Sequence, residues 1–571
     1  YGNLSEFTEK VGENRQEFGT KFGYDDENRP TSLTYSIGAT TIGQSTMTID
    51  KLNRTTFSAV KLGSKTFTSE YHFAAGGYGT GSVTNLVASI TQPGCNCGYG
   101  YDDNGNIASA TLNGKWTGYT YDELGQLIQV NDHSDTRSGE NGTTWKYTYD
   151  LGGNILKKER FVYNDTTNPL ETVTYTYGDA NWRDKLTAVN GSAIRYDAIG
   201  NPLSDGTWTY TWQNGRQLQK MQKSGVTAEF VYNADGLRVQ KTVNGVATKY
   251  TLHGKNVVHM TSGADELHFF YDAQNRPAVV VYNGTAYAYV KSLQGDIVAI
   301  LDENGNTVVS YGYDAWGAPL WCTGELAETL GKVQPFRYRG YVFDEETGFY
   351  YVSSRYYDPE IGRFISPDTT DVLTATPMGL TDKNLYAYCD NNPVVRVDHG
   401  GQFWETVFDV ISLGASIVEV CINPTDPWAW AGLAGDAIDL IPFVTGVGEV
   451  TRAVKTIDKV TDTVQIAKAV DFTDDAADIV KTLDRSSGFT KSTASAGRRI
   501  HAGYKATDNF SSIGKEYRRI NGIRPDYIDF NTRTIYELKP MNPRGVRSGI
   551  CQLQKYNKEL GGGFNLRLEL Y

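Results

Sequence analysis

The sequence has little cysteine, little methionine and no long hydrophobic run. Its 571 residues include six Cys and five Met, a cysteine content far below that of a disulfide-rich secreted domain. Only Cys95 and Cys97 lie close together, and an isolated Cys-x-Cys without nearby His is more typical of a structural pair than of a metal site. No window of about 18 residues is both apolar and free of charge, so we expect no stable membrane span.

Positive charge is scarce except at the C-terminus. The formal net charge is -12, yet the residues from Gly497 onwards hold fourteen Lys or Arg and seven Asp or Glu, a net of +7 that leaves -19 on the preceding 496 residues. A basic tail on an acidic body indicates regions with separate roles. The length favours about three or four domains. The chain begins at Tyr1, without Met or a signal peptide, so we expect it to be a fragment of a longer polypeptide.

Tyrosine and glycine are abundant, with 38 and 60 residues, and they recur in one short sequence motif. The motif consists of an aromatic residue, any residue, Tyr and then Asp. Gly or Asn follows three positions after the Asp. Tyr favours strands, Asp begins turns, and Gly or Asn tolerates positive φ, so each copy predicts a β-hairpin. Single hairpins are unstable, so the repeats predict one long wound sheet. The copies are Tyr24-Asp25, Tyr101-Asp102, Tyr121-Asp122, Tyr149-Asp150, Tyr196-Asp197, Tyr271-Asp272 and Tyr313-Asp314.

These repeats resemble the YD repeats of the Rhs family. The resemblance to the Rhs-associated core domain is carried by residues 335–341, 347–351, 354–359, 361–368, 384–388 and 392–393. It implies a mainly β fold, in which the repeats spiral into a hollow β-shell, the core closes one end, and a variable toxin follows. The predicted domains are a YD-repeat shell (1–310), the Rhs core (311–402), a helical pre-toxin segment (403–490) and a toxin domain (491–571).

The last residues of the Rhs core are the place where self-cleavage would occur. Many Rhs proteins cut themselves after Asp-Pro-x-Gly-Leu, where this chain has Asp398, then His399 in place of Pro, and Gln402 in place of Leu. The resemblance implies Asp368 and Asp398 as the carboxylates of an aspartyl-type cleavage. A turn-capping role for both aspartates is the alternative.

Beyond Gly401 the apolar residues recur every three or four positions, whereas before it they recur at every second position. One helix is predicted by the spacing of Phe403, Val407, Val410, Ile411, Ile417 and Val418, and further helices are expected within 427–440, 448–470 and 474–483. The segment either assists membrane passage, since Trp428 and Trp430 suit an interface, or forms a small helical packing domain.

Two short strands are predicted in the basic tail, at 527–530 and 534–538, joined by a two-residue turn. This register places Asp526 opposite Glu537, with Lys539 on the same face. Two adjacent carboxylates repel unless a cation lies between them. Hard oxygen ligands favour Mg²⁺ or Mn²⁺, and a neighbouring lysine can orient water. The arrangement therefore predicts phosphodiester hydrolysis.

The same residues resemble the Pro-Asp…(Asp/Glu)-x-Lys motif of restriction-endonuclease-like nucleases, an α/β fold. The resemblance assigns Asp526 and Glu537 as metal ligands and Lys539 as the catalytic lysine. Gln552, four residues before Tyr556 on a predicted helix at 548–560, resembles an accessory catalytic element of these nucleases. Arg544, Arg547 and Lys555 form either a phosphate-binding surface or a solvated helix face.

These observations lead to a polymorphic bacterial toxin as the functional hypothesis. An acidic β-shell would enclose a metal-dependent nuclease, with DNA favoured over RNA as substrate. The expected partners are a cognate immunity protein and a secretion machinery. The protein would be secreted or displayed by a bacterium and its toxin domain delivered to the target-cell cytoplasm. The alternatives are a surface adhesion or carbohydrate-binding protein with an inactive tail, and an RNase that uses the same residues.

Overall fold

The computed structural model describes residues 4–11, 15–51, 53–75, 83–369, 384–398, 405–406, 469–472, 527–529, 534–539, 552–553, 555–556 and 565–570. They fall into two compact units. The first lies within Tyr1–Leu373 and Leu380–Ala429, and the second within Thr374–Gly379 and Trp430–Tyr571.

The first unit begins with a 16-stranded sheet in which every strand pairs with its sequence neighbour. Its strands are β1 (Glu6–Val11), β2 (Gln16–Tyr24), β3 (Pro30–Ile37), β4 (Thr40–Ile49), β5 (Thr55–Leu62), β6 (Lys65–Ala75), β7 (Val83–Thr91), β8 (Cys97–Tyr101), β9 (Ile107–Leu112), β10 (Lys115–Tyr121), β11 (Leu127–Asp132), β12 (Thr143–Tyr149), β13 (Ile155–Val162), β14 (Glu171–Thr176), β15 (Ala188–Val189) and β16 (Ser192–Ala193).

A 14-stranded sheet of the same kind follows. It contains β17 (Arg195–Tyr196), β18 (Pro202–Ser204), β19 (Thr209–Gln213), β20 (Gln217–Lys223), β21 (Val226–Tyr232), β22 (Arg238–Val243), β23 (Val246–His253), β24 (Asn256–Ser262), β25 (Asp265–Tyr271), β26 (Pro277–Tyr282), β27 (Thr285–Lys291), β28 (Ile297–Leu301), β29 (Thr307–Tyr313) and β30 (Pro319–Thr323).

Smaller elements complete the described residues. A four-stranded sheet holds β31 (Val342–Asp344), β32 (Phe349–Val352), β33 (Arg355–Asp358) and β34 (Arg363–Phe364), and β35 (Arg396–Val397) pairs with β36 (Glu405–Thr406). The second unit has β37 (Ala469–Phe472), β38 (Tyr527–Asp529), β39 (Thr534–Lys539) and β40 (Asn565–Leu570). The helical pieces of the first unit are α1 (Leu330–Val333) and 3₁₀ turns at Thr136–Ser138, Tyr338–Gly340 and Cys389–Asn391.

The predicted hairpin turns are confirmed, and the aspartate of each repeat holds its turn closed. Oδ1 of Asp102 accepts the backbone N–H groups of Asn104 and Asn106 at 2.9 and 2.8 Å, and Oδ2 accepts the Asn106 side-chain amide at 3.0 Å. Gly105 adopts the positive φ of 80° that the turn requires. The same two backbone bonds form at Asp25, Asp122, Asp150, Asp197, Asp272, Asp302 and Asp314.

The tyrosine of each repeat joins that repeat to the one before it. Its hydroxyl donates to a backbone carbonyl, most often at the start of the strand that follows the preceding turn. Because Tyr is long enough to cross to the neighbouring hairpin, the hydroxyls form a series that we call the tyrosine ladder. Its bonds, of 2.5–3.0 Å, are Tyr101 to Val87, Tyr121 to Ile107, Tyr149 to Leu127, Tyr177 to Ile155, Tyr232 to Leu218, Tyr271 to Val257 and Tyr313 to Ile297.

The two large sheets contact each other through residues about 200 positions apart. The Tyr35 hydroxyl donates to the Tyr271 carbonyl at 2.8 Å, and the Gln92 amide donates to the Lys291 carbonyl at 2.8 Å. One buried apolar cluster contains residues of both sheets and of the Rhs core. The prediction of a mainly β, wound-sheet body is therefore confirmed.

A cluster of three histidines and two glutamates lies where β1 and β2 meet β23–β25. Glu9 is 3.7 Å from Nδ1 of His253 and 4.0 Å from Nε2 of His268, and His259 lies 3.4 Å from Glu266. His259 and His268 are buried, and of their four ring nitrogens three make no hydrogen bond with the described residues. Burial raises the pKa of Glu9 to about 7 and lowers the pKa of all three imidazoles.

The helix predictions between 403 and 490 fall mostly outside the described residues. Where the structure describes this stretch, it shows strands: Glu405–Thr406 pairs with Arg396–Val397, and Ala469–Phe472 pairs with Leu566–Glu569. The prediction is therefore wrong at residues 405–406 and 469–470. Backbone pairing with a sheet partner overrides a local apolar spacing in such short segments.

Candidate nuclease site and core carboxylates

The hairpin that carries the candidate nuclease motif has the predicted register. Within β38 and β39, Asp529 pairs with Thr534, Ile528 with Ile535, and Tyr527 with Tyr536. The strands end one residue from the predicted limits, at Asp529 and Lys539. Asp526 precedes β38 and lies outside the described residues, so its pairing with Glu537 stays a prediction. It is the next pair that this register would form.

Glu537 and Lys539 lie on one face of β39. Side-chain positions alternate along a strand, so 535, 537 and 539 share a face. The Ile535 side chain is fully buried, which indicates that this face is covered rather than solvated near residue 535. The strand β39 runs through both positions, and the shared role of Glu537 and Lys539 stays a prediction.

The strand β39 also pairs with β40 in parallel, from Thr534 with Asn565 to Lys539 with Leu570. Parallel neighbours need a crossover connection, most often a helix. Residues 552, 553, 555 and 556 within this connection are helical. The order in the sheet is β37-β40-β39-β38, so the candidate motif lies on an inner strand and at the hairpin beside it.

The crossover helix presents the predicted accessory residue. Tyr556 and Leu553 are buried, and Gln552 is half-buried. Oε1 of Gln552 is shielded from solvent and makes no hydrogen bond with the described residues. Lys555 is exposed, as either of its two interpretations requires. Arg544 and Arg547 lie outside the described residues.

The two carboxylates at the end of the Rhs core meet at one arginine. Arg355 contacts Asp368 at 3.2 Å and Asp398 at 3.4 Å, and all three side chains are buried. The guanidinium also lies 3.6 Å from the ring centre of Phe364 and donates to the Leu385 carbonyl. The Asp398 backbone N–H donates to the Tyr341 hydroxyl. The chain therefore does bring the two candidate aspartates together, at a cation that the sequence analysis did not identify.

An aspartyl-type cleavage needs one carboxylic acid and one carboxylate. Here one guanidinium contacts both groups, so each carboxylate is engaged in the same buried ion-pair cluster. The observed contacts therefore favour a structural role for Asp368 and Asp398 in this state. Arg355 stands two residues before Tyr357 in the core signature, which is the signal that could have drawn attention to it.

Metal-binding groups are sparse in the described part of the chain. No cluster of three or more His, Cys, Asp or Glu side chains there is arranged to hold a metal; Asp526 and the Glu537 side chain lie outside that search. Cys95 and Cys97 are buried free thiols with Sγ atoms 3.5 Å apart, which agrees with a structural pair. The described residues also contain no helix of the length and apolarity that a membrane crossing demands.

Two sequence-family models match the chain. A model described as teneurin YD-shell matches residues 112–394, and one described as restriction endonuclease fold toxin 9 matches residues 489–571. A YD-repeat shell followed by such a domain defines a class of protein, the polymorphic toxin with a variable C-terminal domain.

Curated relatives agree with this class. The tRNA nuclease WapA of Bacillus subtilis strain 168 is 35% identical over 319 residues, which are 55% of this chain and 13% of the relative. The tRNA3(Ser)-specific nuclease WapA of Bacillus spizizenii is 34% identical over 342 residues, 59% of this chain and 14% of the relative. Toxin protein Tse5 of Pseudomonas aeruginosa is 25% identical over 389 residues, 54% of this chain and 28% of the relative. The chain thus spans about a seventh of the length of its WapA relatives.

A solved structure shares the fold. The crystal structure of TcdB2-TccC3-Cdc42 matches with a TM-score of 0.50 and 20% identity over 70% of this chain and 22% of that one. Together, these matches support an Rhs/YD-repeat polymorphic toxin.

Proposed function

We propose that this chain is the toxin-bearing part of an Rhs protein and that its C-terminal domain hydrolyses phosphodiester bonds of nucleic acid in a target cell, with DNA as the favoured substrate. The observation that carries the proposal is the register of β38 and β39. Continued by one residue, it sets Asp526 opposite Glu537, and Lys539 shares the face of Glu537. The family match over residues 489–571 supports the same domain.

The residues of this hairpin fit a divalent cation such as Mg²⁺ or Mn²⁺. Asp526 and Glu537 would hold it, because two adjacent carboxylates supply the hard oxygen ligands it prefers. A bound cation would offset the charge that develops on the phosphate in the transition state. Lys539 would donate a hydrogen bond that orients the attacking water. Gln552, whose Oε1 makes no hydrogen bond with the described residues, would position a group at the same site.

The charge division of the sequence supports an enclosed toxin. The body carries -19 and the tail +7, so the tail suits a polyanionic substrate through Arg544, Arg547 and Lys555. An acidic container would hold such a basic domain without competing for its target. A producing cell would need an immunity protein and a secretion machinery. Secretion or surface display followed by delivery to the target-cell cytoplasm completes the proposal.

RNA is the second candidate substrate. The observation that favours it is that the WapA relatives are tRNA nucleases by name. The same residues would cleave either polymer, because the chemistry acts on the phosphodiester.

A substrate panel tests the proposal. The full chain and a fragment of residues 489–571 would each be incubated with plasmid DNA, tRNA and ribosomal RNA, in Mg²⁺ and in EDTA. We expect cleavage that requires Mg²⁺, with plasmid DNA degraded fastest. Faster cleavage of tRNA would select the RNA candidate. Equal cleavage in EDTA would refute the metal, and intact substrates in every reaction would refute the nuclease.

A further inference from the structure

A cavity of about 420 Å³ opens on one face of three neighbouring strands, β12, β13 and β14. Residues that are paired across these strands form the floor of the cavity. Trp145 pairs with Arg160, and Arg160 pairs with Glu171. Two residues further along each strand, on the same face, Lys158 lies opposite Val173. Arg137, from the 3₁₀ turn before β12, and Glu360, from the loop between β33 and β34, form the walls.

Lys158 is a buried cation in this cavity without an acidic partner among the described residues. The residue is 4% exposed. Its Nζ donates to the Glu360 backbone carbonyl at 3.1 Å and lies 4.6 Å from the ring centre of Trp145. A carbonyl and an aromatic face compensate a buried ammonium only in part, because the full charge still lacks a counter-charge.

The other two cations of the cavity already have carboxylate partners. Arg137 contacts Asp135 at 2.7 Å and Asp314 at 3.1 Å, and Arg160 contacts Glu171 at 3.0 Å. Three cations and two carboxylates, those of Glu171 and Glu360, line the space. With Asp135 and Asp314 behind Arg137, each arginine of the cavity has an ion pair, and Lys158 is the lining cation that lacks one among the described residues.

We propose that this cavity binds a small molecule that carries a phosphate or carboxylate group, with Lys158 as the counter-charge of that group. The volume lies in the range of about 300–1,000 Å³ that small-molecule sites occupy. A bare inorganic anion would leave most of it empty. Trp145 and Val173 add apolar surface beside the charged groups, so the ligand is of sugar size: a sugar phosphate or a sugar acid.

Titration calorimetry on the full chain tests the site with three matched probes at constant ionic strength: glucose 6-phosphate, glucuronate and glucose. We expect saturable binding of at least one charged probe and none of glucose, and the stronger charged probe identifies the anionic group. Lys158→Met should weaken binding at least tenfold, whereas Lys158→Arg should retain it. Lys157→Met is the control, because Lys157 is its neighbour on the opposite face with a half-exposed side chain.

Thermal unfolding gives a second readout. If Lys158 awaits an anion, Lys158→Met removes an uncompensated buried charge, so its Tm without ligand should rise above that of the unmodified chain. The charged probe should raise the Tm of the unmodified chain and leave that of Lys158→Met unchanged. The proposal is overturned if neither charged probe binds saturably, or if binding survives in Lys158→Met. A lower Tm of Lys158→Met together with no probe effect would assign Lys158 a purely structural role.

Discussion

Arg238 and Asp344 form a two-bonded ion pair in which both side chains are buried, at 2.6 and 3.0 Å. Arg238 belongs to β22 of the second large sheet and Asp344 to β31 of the Rhs core, so the pair joins the shell wall to the core. Burial alone would raise the pKa of the Asp344 carboxyl, but Arg238 and Lys241 outweigh it and hold that pKa below its ordinary value.

Asp344→Asn should therefore destabilise the first unit strongly. The change leaves the Arg238 charge buried without its counter-charge, and removing one partner of a buried pair costs about 3–5 kcal/mol. Urea unfolding followed by circular dichroism measures the loss. Glu328→Gln, which breaks an exposed pair with Lys332, is the control and should change stability by less than about 1 kcal/mol. Similar losses in both variants would contradict the role of the buried pair.

Removing one hydroxyl of the tyrosine ladder should lower the free energy of unfolding. Tyr121→Phe deletes the 2.7 Å bond to Ile107 and leaves that carbonyl without its partner, at a cost of about 1–3 kcal/mol. Tyr163→Phe removes the hydroxyl of a half-buried tyrosine outside the ladder and should be close to neutral. The midpoint of thermal unfolding compares the two. Equal midpoints would show that the ladder bonds contribute no net stability.

A pair of matched glutamates tests the nuclease site. Glu537→Gln should reduce cleavage by at least about a hundredfold, because a metal ligand is lost. Glu569 pairs with Leu538 in the neighbouring strand, so it lies on the opposite face of the same sheet. Glu569→Gln should keep its activity. Initial rates of plasmid nicking measure both, and an active Glu537→Gln chain would refute the assignment.

The histidine cluster predicts that stability falls as the pH drops below 6.5. Glu9, with its pKa raised to about 7 by burial, binds a proton more readily when folded, so stability rises as the pH falls through 7. His259 and His268 have pKa values lowered by burial, so the unfolded chain takes up protons first and stability falls below pH 6.5. Two histidines against one glutamate leave a net loss of about 1.4 kcal/mol per pH unit below pH 6. His253 is more than a third exposed and adds less.

Urea unfolding between pH 5 and 8 checks this profile. His259→Gln combined with His268→Gln should flatten its acid side, whereas His72→Gln, at an exposed position, should leave it unchanged. An acid side that is equally steep in all three chains would contradict the role of the cluster.

Asp398→Ala should leave the covalent state of the chain unchanged. Because Arg355 contacts both Asp368 and Asp398, we expect the purified protein to run as one 63.1 kDa polypeptide and the variant to lose stability only. Mass spectrometry decides the matter. A fragment ending between residues 398 and 402, absent from Asp398→Ala, would assign the two aspartates to self-cleavage instead.

The sequence predicted whatever depends on neighbours along the chain. Asp102 and Gly105 identify their turn because the bonds span four residues. The two-residue turn that the sequence predicts after Phe530 gives the register in which Asp529 pairs with Thr534. Contacts between distant segments escaped prediction. Glu9 and His268 are 259 positions apart, and nothing local marks either residue.

The same distinction explains one wrong prediction in the second unit and one missed residue in the first. Ala469–Phe472 forms a strand because it pairs with a segment almost 100 residues later, while its own apolar spacing indicates a helix. Arg355, which joins the core carboxylates, shows its role only when residues 368 and 398 are adjacent in space.

The consecutive order of strands in the two large sheets has a consequence for how this chain can fold and evolve. Each hairpin finds its hydrogen-bonding partners in the hairpin made just before it, and its tyrosine anchors to a carbonyl some 10–22 positions upstream. The sheet can therefore grow in one direction as the polypeptide emerges, with little search among distant strands. A whole repeat can also be gained or lost with the same junction restored, so the size of the wall can change between relatives while the chemistry of its joints stays constant.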